Sequence, residues 1–283
     1  MRLACLCLIN EHALAAQEAK VLGDLNSTFY HADEGMGSGR ADHLVPWELR
    51  VLVVRLAALG YGEWRKGVMG YFELARECRE AVLAADGEEE KNMWRARLRD
   101  CGVRVANVMV EMGDLEGAGR HLASLKAPTE DDREIIAMET LTWLRLGDVT
   151  SARRCLASLK GSHPGGLLDG TLEALILLAD SDFEAAAAAL ASLHEEFPSD
   201  AMVMQNLAVC LLYNGRIAEA KDMLTQLVGE TPPFHSLVFN LCTMYELCTE
   251  RNRDSKVGLA QRLASRKGDG SVGWEMSNAD FKL

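Results

Sequence analysis

The sequence predicts an all-α protein, a right-handed solenoid of stacked helix–turn–helix units, and three observations carry that prediction. First, alanine and leucine lead the composition while aromatic residues make up only 6%, and alanine and leucine cost the least free energy to hold in a helix. Second, glycines recur at multiples of 34 residues, at Gly113, Gly147 and Gly215. Third, apolar residues recur at the same spacing, so that equivalent positions of successive units form columns of one residue type.

The period of 34 runs through several columns, and Ser181 takes the slot between Gly147 and Gly215. The columns are Ala118, Ala152, Ala186 and Ala220, then Leu122, Leu156, Leu190 and Leu224, then Leu125, Leu159, Leu193 and Leu227, with Pro164, Pro198 and Pro232 closing three units. A 34-residue unit of two helices is the tetratricopeptide repeat. Glycine ends its first helix, small alanines let helices approach, and proline stops the second helix. Asp148 and Asp182 are predicted to cap the helices that follow them.

The repeat pattern predicts the domain organisation. We expect a partial first unit over 1–30, a Gly-rich linker over 31–45, a repeat array over 46–266 that ends in a capping helix, and a tail over 267–283. The step from Gly62 to Gly113 is 51 residues, 17 more than one repeat. We therefore predict a long acidic insertion near 85–91, a loop that joins two lengthened helices. The truncated first unit is consistent with the C-terminal part of a larger protein.

Charge and hydropathy exclude several function classes. The net charge is −12, so the chain does not attract phosphate backbones, and we expect no nucleic-acid partner. No stretch reaches about 18 apolar residues, the length needed to span a bilayer. The short apolar opening lacks the basic flank and cleavage site of a signal peptide. The eight cysteines contain no Cys-x-x-Cys pair, which indicates reduced core thiols in the cytosol.

No catalytic or cofactor motif emerges, so we predict a protein that is not an enzyme and needs no cofactor or metal. The glycine-rich segment 35–40 lacks the Lys-Ser/Thr pair of a phosphate loop. His194 lacks the second histidine of a zinc-protease helix. Nothing in the sequence favours a cysteine–histidine nucleophile, and Trp94 and Trp143 are interpreted as packing residues.

The inner face of the first helices is mostly apolar and is the candidate protein-binding groove. The repeat pattern directs the second, fifth, ninth and twelfth positions of each first helix to this face, which places Val103, Leu168, Met202, Gln205, Ser236 and Glu246 there. The candidate contact residues on this face are Leu141, Leu144, Leu175, Leu178, Val209, Leu212 and Phe239. Two interpretations stay open. The groove could accept an amphipathic helix or apolar segment of a partner, or tight curvature could bury it, with Trp274, Met276 and Phe281 of the tail folding back. Only Asn107 could serve in the clamp that co-chaperone repeats use for a terminal carboxylate.

A second candidate surface is a local basic patch near the end of the chain. Its residues are Arg251, Arg253, Lys256, Arg262 and Arg266. One interpretation is an ordinary solvated helix face. The other is a docking surface for an acidic partner or an anionic membrane surface.

Two strings in the last units carry a family resemblance. Residues 207–213 read LAVCLLY, and residues 237–247 read LVFNLCTMYEL. Residues 45–47, at the predicted start of a helix, and residues 93–98 add to these two strings. Together the four stretches resemble the family of subunit twelve of the transport protein particle, TRAPP. Two features depart from the family: the early repeats are weak, and the long N-terminal extension is missing, so we expect a shorter or truncated member.

That resemblance implies a function that period and charge do not. It implies a non-catalytic scaffold in the TRAPP III tethering complex, which activates a Rab GTPase in ER-to-Golgi traffic and autophagy. The partners would be the large TRAPP III subunits and the core. The chain would be cytoplasmic and peripheral to ER–Golgi and Golgi membranes, with membrane association only through the complex. The alternative from another class is a repeat adaptor that captures a helix or peptide of a different enzyme or chaperone.

Overall fold

The computed structural model describes residues 1–31, 43–125, 132–159, 166–248 and 250–265, and within them the chain forms fourteen α-helices and no β-strand. The chain divides into two compact units, Met1–Leu146 and Gly147–Leu283. The predicted linker and tail fall largely or wholly outside the described residues.

Unit 1 contains seven helices. They are α1 (Arg2–Leu8), α2 (His12–Ala19), α3 (Trp47–Tyr61), α4 (Trp64–Ala84), α5 (Glu88–Glu111), α6 (Leu115–Leu125) and α7 (Asp132–Leu146). Each helix from α2 to α6 packs on the helix that follows it in the chain. The pair α1–α2 occupies the region predicted to hold a partial first repeat.

Unit 2 contains the other seven helices of the described residues. They are α8 (Val149–Leu159), α9 (Leu167–Ala179), α10 (Phe183–Glu196), α11 (Ala201–Tyr213), α12 (Ile217–Glu230), α13 (His235–Cys248) and α14 (Asn252–Ser265). One hydrophobic cluster runs through α9 to α14, with Leu207, Leu224, Leu241 and Leu259 among its buried members. The predicted capping helix is α14, which has 14 residues, the same length as α13.

The insertion lengthens α4 and α5, and its acidic run begins a helix instead of lying in the predicted loop. Helix α4 has 21 residues and α5 has 24, against 13 and 14 for α11 and α12. Only residues 85–87 separate α4 from α5. Glu88, Glu89 and Glu90 form the first turn of α5, where their carboxylates face the positive end of the helix dipole. The acidic run was therefore placed wrongly in a loop, because its charge pattern suits a helix start equally well.

The same turn ends the first helix of several repeats. The main-chain N–H groups of Asp114, Asp182 and Arg216 each donate to the carbonyl five residues earlier, over 2.9, 3.0 and 2.9 Å. This bond defines the Schellman turn, which needs a residue in the left-handed region of φ. The left-handed positions are Gly62, Gly113, Gly147, Ser181 and Gly215, with φ between +65° and +88°. Ser181 thus adopts the backbone conformation of the glycines whose slot it takes.

Two further columns and two predicted caps do what their residue types predict. The four alanines of the column from Ala118 to Ala220 are fully buried, and the four leucines from Leu122 to Leu224 are at most 5% exposed. Asp148 and Asp182 accept hydrogen bonds from the N–H groups of Ser151 and Ala185, at 2.9 and 3.1 Å. Both predicted caps are confirmed.

Candidate protein-docking surfaces

Three first helices of unit 2, α9, α11 and α13, carry the candidate groove residues of that unit. Ala174 of α9 and Leu207 of α11 belong to the same buried cluster. On the groove side, the Ser236 hydroxyl of α13 donates to the amide oxygen of Gln205 of α11 over 3.3 Å. Ser236 and Gln205 were both predicted to face the groove, and the hydrogen bond shows that these two positions do meet.

The groove residues of unit 2 differ in how much surface they offer. Phe239 is 48% exposed and stacks on His235, with 6.0 Å between ring centroids. Leu175 and Val209 are half-buried. Leu178 and Leu212 are half-buried too, but they pack against the core cluster and so contribute to stability.

Two of the most exposed apolar side chains of this strip were predicted to face the groove but were not among the candidate contact residues. Leu168 of α9 is 41% exposed and Met202 of α11 is 51% exposed. Both occupy the second position of their helices, where the repeat pattern directs side chains to the groove, so the period itself carried the signal. With Phe239 they give each of the three helices one strongly exposed apolar residue.

The remaining groove candidates lie on α7 of unit 1. Leu141 is 45% exposed and Leu144 is half-buried. Met138, one turn earlier, is 37% exposed. These residues form an apolar stripe on α7. The tail residues that could cover the groove, Trp274, Met276 and Phe281, lie outside the described residues.

The residues of the predicted basic patch are not all exposed cations. Lys256 is 4% exposed, and its ammonium contacts the Glu246 carboxylate at 2.5 Å. It therefore neutralises a groove-side carboxylate and cannot dock a partner. Arg251 and Arg253 are exposed, and the Arg262 guanidinium donates to the Tyr245 hydroxyl at 3.4 Å. Arg266 lies outside the described residues.

Unit 1 contains a cleft that the sequence did not predict, at the C-terminal end of α6. Its volume is about 370 Å³. Phe72, Ala75, Leu98 and Val105 supply apolar lining, and Arg79, Arg95 and Arg99 supply three cations. Gly102 lets α6 approach α5 here, because a Cβ at Gly102 would lie 2.7 Å from a methyl carbon of Leu125. The signal that could have located the cleft is the pair of arginines four residues apart on a lengthened helix.

Two further observations concern metal ligands and membrane spans in the parts of the chain that the structure describes. No three His, Cys, Asp or Glu side chains come together there as metal ligands. Two histidines are held by main-chain carbonyls: His121 by Gly102 at 3.0 Å and His43 by Leu25 at 2.8 Å. None of the described helices is long and apolar enough to cross a bilayer.

The helices are paired, left-handed residues recur at a 34-residue period, and apolar residues line the first helices. These features define the class of fold: the chain has the tetratricopeptide-repeat fold, an all-α solenoid. The family model described as tetratricopeptide repeat matches residues 177–244. A crystal structure of a tetratricopeptide repeat protein from Parabacteroides merdae aligns with a TM-score of 0.57 at 12% identity. That alignment covers 95% of this chain and 91% of the other. At so low an identity, the likeness concerns the fold alone.

Sequence similarity points to a particular relative. The chain is 38% identical over 74 residues to trafficking protein particle complex subunit 12 of Mus musculus, and 37% identical over 73 residues to that of Homo sapiens. These segments cover 25% of this chain and 9% and 10% of the two relatives. The resemblance predicted from the sequence is confirmed over this quarter of the chain. The matched segment spans about a tenth of the length of the curated relatives.

Proposed function

We propose that this chain is a non-catalytic scaffold subunit of a trafficking protein particle complex. The single observation that carries the proposal is the 38% identity over 74 residues to subunit 12 of that complex. The repeat fold supports it, because stacked helix pairs present extended surfaces for protein contacts. The finer proposal is membership of TRAPP III, with a role in ER-to-Golgi traffic and autophagy.

The proposed partners are the large TRAPP III subunits and the core subunits. The chain would be cytoplasmic and would reach ER–Golgi and Golgi membranes only through the complex. It would activate no Rab GTPase alone, because the exchange chemistry would reside in the core. A net charge of −12 disfavours nucleic acid as a partner.

The proposed contact surface is the candidate groove, and its proposed occupant is an amphipathic helix of another TRAPP subunit. Leu168, Met202 and Phe239 lie on successive first helices, and each is at least 41% exposed. An amphipathic helix presents apolar residues three and four positions apart, which suits such a row. The exposed arginines Arg251, Arg253 and Arg262, with Arg266 beyond the described residues, are proposed to contact acidic groups of the complex.

Co-purification with groove variants tests this proposal. Met202→Asp and Phe239→Asp place a charge on an exposed groove position, so both variants should fold while recovering far less of the other TRAPP subunits than the unchanged chain does. Met69→Asp is the matched control, because Met69 is 62% exposed on the second helix α4, outside both the groove and the basic patch. Leu212 is unsuitable, because it packs against the core.

Three outcomes would contradict the proposal or a part of it. Equal recovery of TRAPP subunits with both groove variants would remove the groove as the contact surface. Recovery of a different enzyme or chaperone in place of TRAPP subunits would favour the adaptor alternative. Rab nucleotide exchange by the isolated chain would contradict the scaffold role itself.

A further inference from the structure

We propose that the cleft between α4, α5 and α6 of unit 1 binds an acidic segment of a partner protein, with one aromatic side chain of that segment buried in the cleft. This inference goes beyond the proposed function, because it concerns a different surface and does not depend on which complex the chain joins.

The shape and lining of the cleft suit one large apolar side chain. Its volume of about 370 Å³ falls at the small end of the range of ligand pockets, about 300–1,000 Å³. Phe72 is 42% exposed beside it, and the ring of His121 meets the Phe72 ring edge-on, with 6.0 Å between centroids. Aromatic side chains that fill such pockets carry much of the binding energy of protein interfaces.

The charged residues around the cleft indicate which side chains of the partner would flank its aromatic ring. Three arginines line the cleft of a chain whose net charge is −12. Arg95 already bonds Glu88 at 2.6 Å and Asn92 at 2.9 Å, yet its side chain remains 53% exposed. A guanidinium carries five donors and pairs with carboxylates in a two-pronged geometry. Carboxylates on either side of the buried aromatic ring would accept hydrogen bonds from these guanidinium groups.

The cleft exists because of the insertion. The described part of helix α6 has 11 residues, and Leu125, the last of them, lies against Gly102 of α5. The first turns of α5, before Gly102, therefore continue past the described part of α6, together with the last turns of α4. These extended turns supply all three arginines. Second helices of ordinary length, such as α12 with 14 residues, pair with first helices of similar length, such as α11 with 13.

The cleft is also separate from the candidate groove. The cleft residues Leu98, Gly102 and Val105 recur three and four positions apart on one face of α5. The groove positions of α5, which include Val103 and Asn107, are about half a turn away at 100° per residue. One helix can therefore serve two different contacts.

Fluorescence polarisation with the full chain tests the proposal. The probe is a fluorescein-labelled peptide with one phenylalanine between two pairs of glutamates. We expect saturable binding below about 1 mM. A peptide with alanine in place of phenylalanine should bind at least about tenfold more weakly, because it leaves the apolar lining uncovered. Arg79→Gln and Arg99→Gln should each weaken binding of the phenylalanine peptide about threefold or more.

Matched variants separate the cleft from general charge attraction. Arg65→Gln removes a positive charge from an exposed position of the same helix, α4, and should leave the affinity unchanged. Ser124→Trp fills the cleft from an exposed position of α6 and should weaken binding at least about tenfold. Circular dichroism confirms that each variant is folded.

Several results would overturn the proposal. They are no binding up to 1 mM, equal binding of the alanine and phenylalanine peptides, or equal losses from Arg65→Gln and Arg79→Gln. Binding of phosphatidylserine vesicles without binding of the peptide would also overturn it, in favour of a lipid surface. The experiment contains no TRAPP subunit, so its outcome is independent of the proposed function.

Discussion

The left-handed residue that ends each first helix should control local stability, and Ser181 and Gly215 test this from opposite directions. Ser181 has φ +65° and Gly215 has φ +79°. A Cβ at Gly215 would meet no atom within 4 Å. The effect of Gly215→Ala therefore comes from the backbone alone. Ser181→Gly makes the reverse change in the repeat before it.

The magnitude follows from two opposing terms. An L-residue in the left-handed region costs roughly 1–2 kcal/mol. Replacing glycine by alanine also restricts the unfolded chain, which stabilises the folded state by about 0.4–1 kcal/mol. The net expectation is that Gly215→Ala destabilises its repeat by about 1 kcal/mol and that Ser181→Gly stabilises its repeat by up to about 1 kcal/mol.

Gly258→Ala provides the matched control. Gly258 lies inside α14 with ordinary helical φ, and a Cβ there also meets nothing within 4 Å. Alanine is favoured over glycine in a helix interior by about 1 kcal/mol. The same chemical substitution should therefore stabilise at Gly258 and destabilise at Gly215.

Amide hydrogen exchange is the suitable assay, because repeat arrays can unfold in segments and a single global transition would average over them. About 1 kcal/mol corresponds to a roughly fivefold change in exchange rate. Faster exchange should appear in α11 and α12 for Gly215→Ala, and slower exchange in α9 and α10 for Ser181→Gly. Changes of the same sign at Gly215 and Gly258, or destabilisation by Ser181→Gly, would refute the reasoning.

Three further predictions concern charges and thiols. Glu77→Gln should destabilise the chain by about 2 kcal/mol in urea titrations, because Arg50, with a 5% exposed side chain, loses its carboxylate partner; Arg50→Leu combined with Glu77→Leu should recover most of that loss. Hydrogen bonds from the neighbouring Ser151 hold the pKa of Asp148 below its usual range. The contribution of Asp148 to folding stability is therefore present above the ordinary carboxyl pKa and is lost as pH falls through the lowered value. Asp148→Asn should accordingly make stability depend less on pH below about pH 4. Burial raises the pKa of Cys210 to about 11, so Ellman's reagent at pH 8 should modify exposed Cys5 promptly and Cys210 only after unfolding.

Each of these has a clear contrary result. Unchanged stability in Glu77→Gln would mean that the Arg50 charge is solvated despite its burial. If Asp148→Asn left the dependence of stability on pH below about pH 4 unchanged, ionisation of the Asp148 cap would not contribute to stability. Prompt modification of Cys210 in the native chain would mean that α11 opens on the timescale of the reaction.

The repeat period predicted the positions of the turns better than the type of any single residue did. A glycine column located the turns after α5 and α11, and the period placed Ser181 in the same slot without a glycine. The turn after α1 was not predicted, although Asn10 has φ +62° and Glu11 donates to Leu6 over 2.9 Å. Asparagine tolerates the left-handed region, but one asparagine outside the period carries no signal of its own.

Surfaces were predicted less well than turns, because exposure depends on neighbours distant in the sequence. Lys256 and Arg253 lie in one run of charges, yet the first is buried against Glu246 and the second is exposed. The cleft of unit 1 depends on where α6 ends relative to α5, and no column of the repeat encodes that. Sequence reasoning recognised the 17 additional residues but placed the acidic run in a loop.

The central proposal, a scaffold role in TRAPP, is tested most directly by affinity purification of the unmodified chain from its native cell at moderate salt. Mass spectrometry then identifies the partners recovered in stoichiometric amounts. We predict recovery of the TRAPP core together with its large subunits. Recovery of an enzyme or chaperone without any TRAPP subunit would contradict the account and leave only the repeat fold standing.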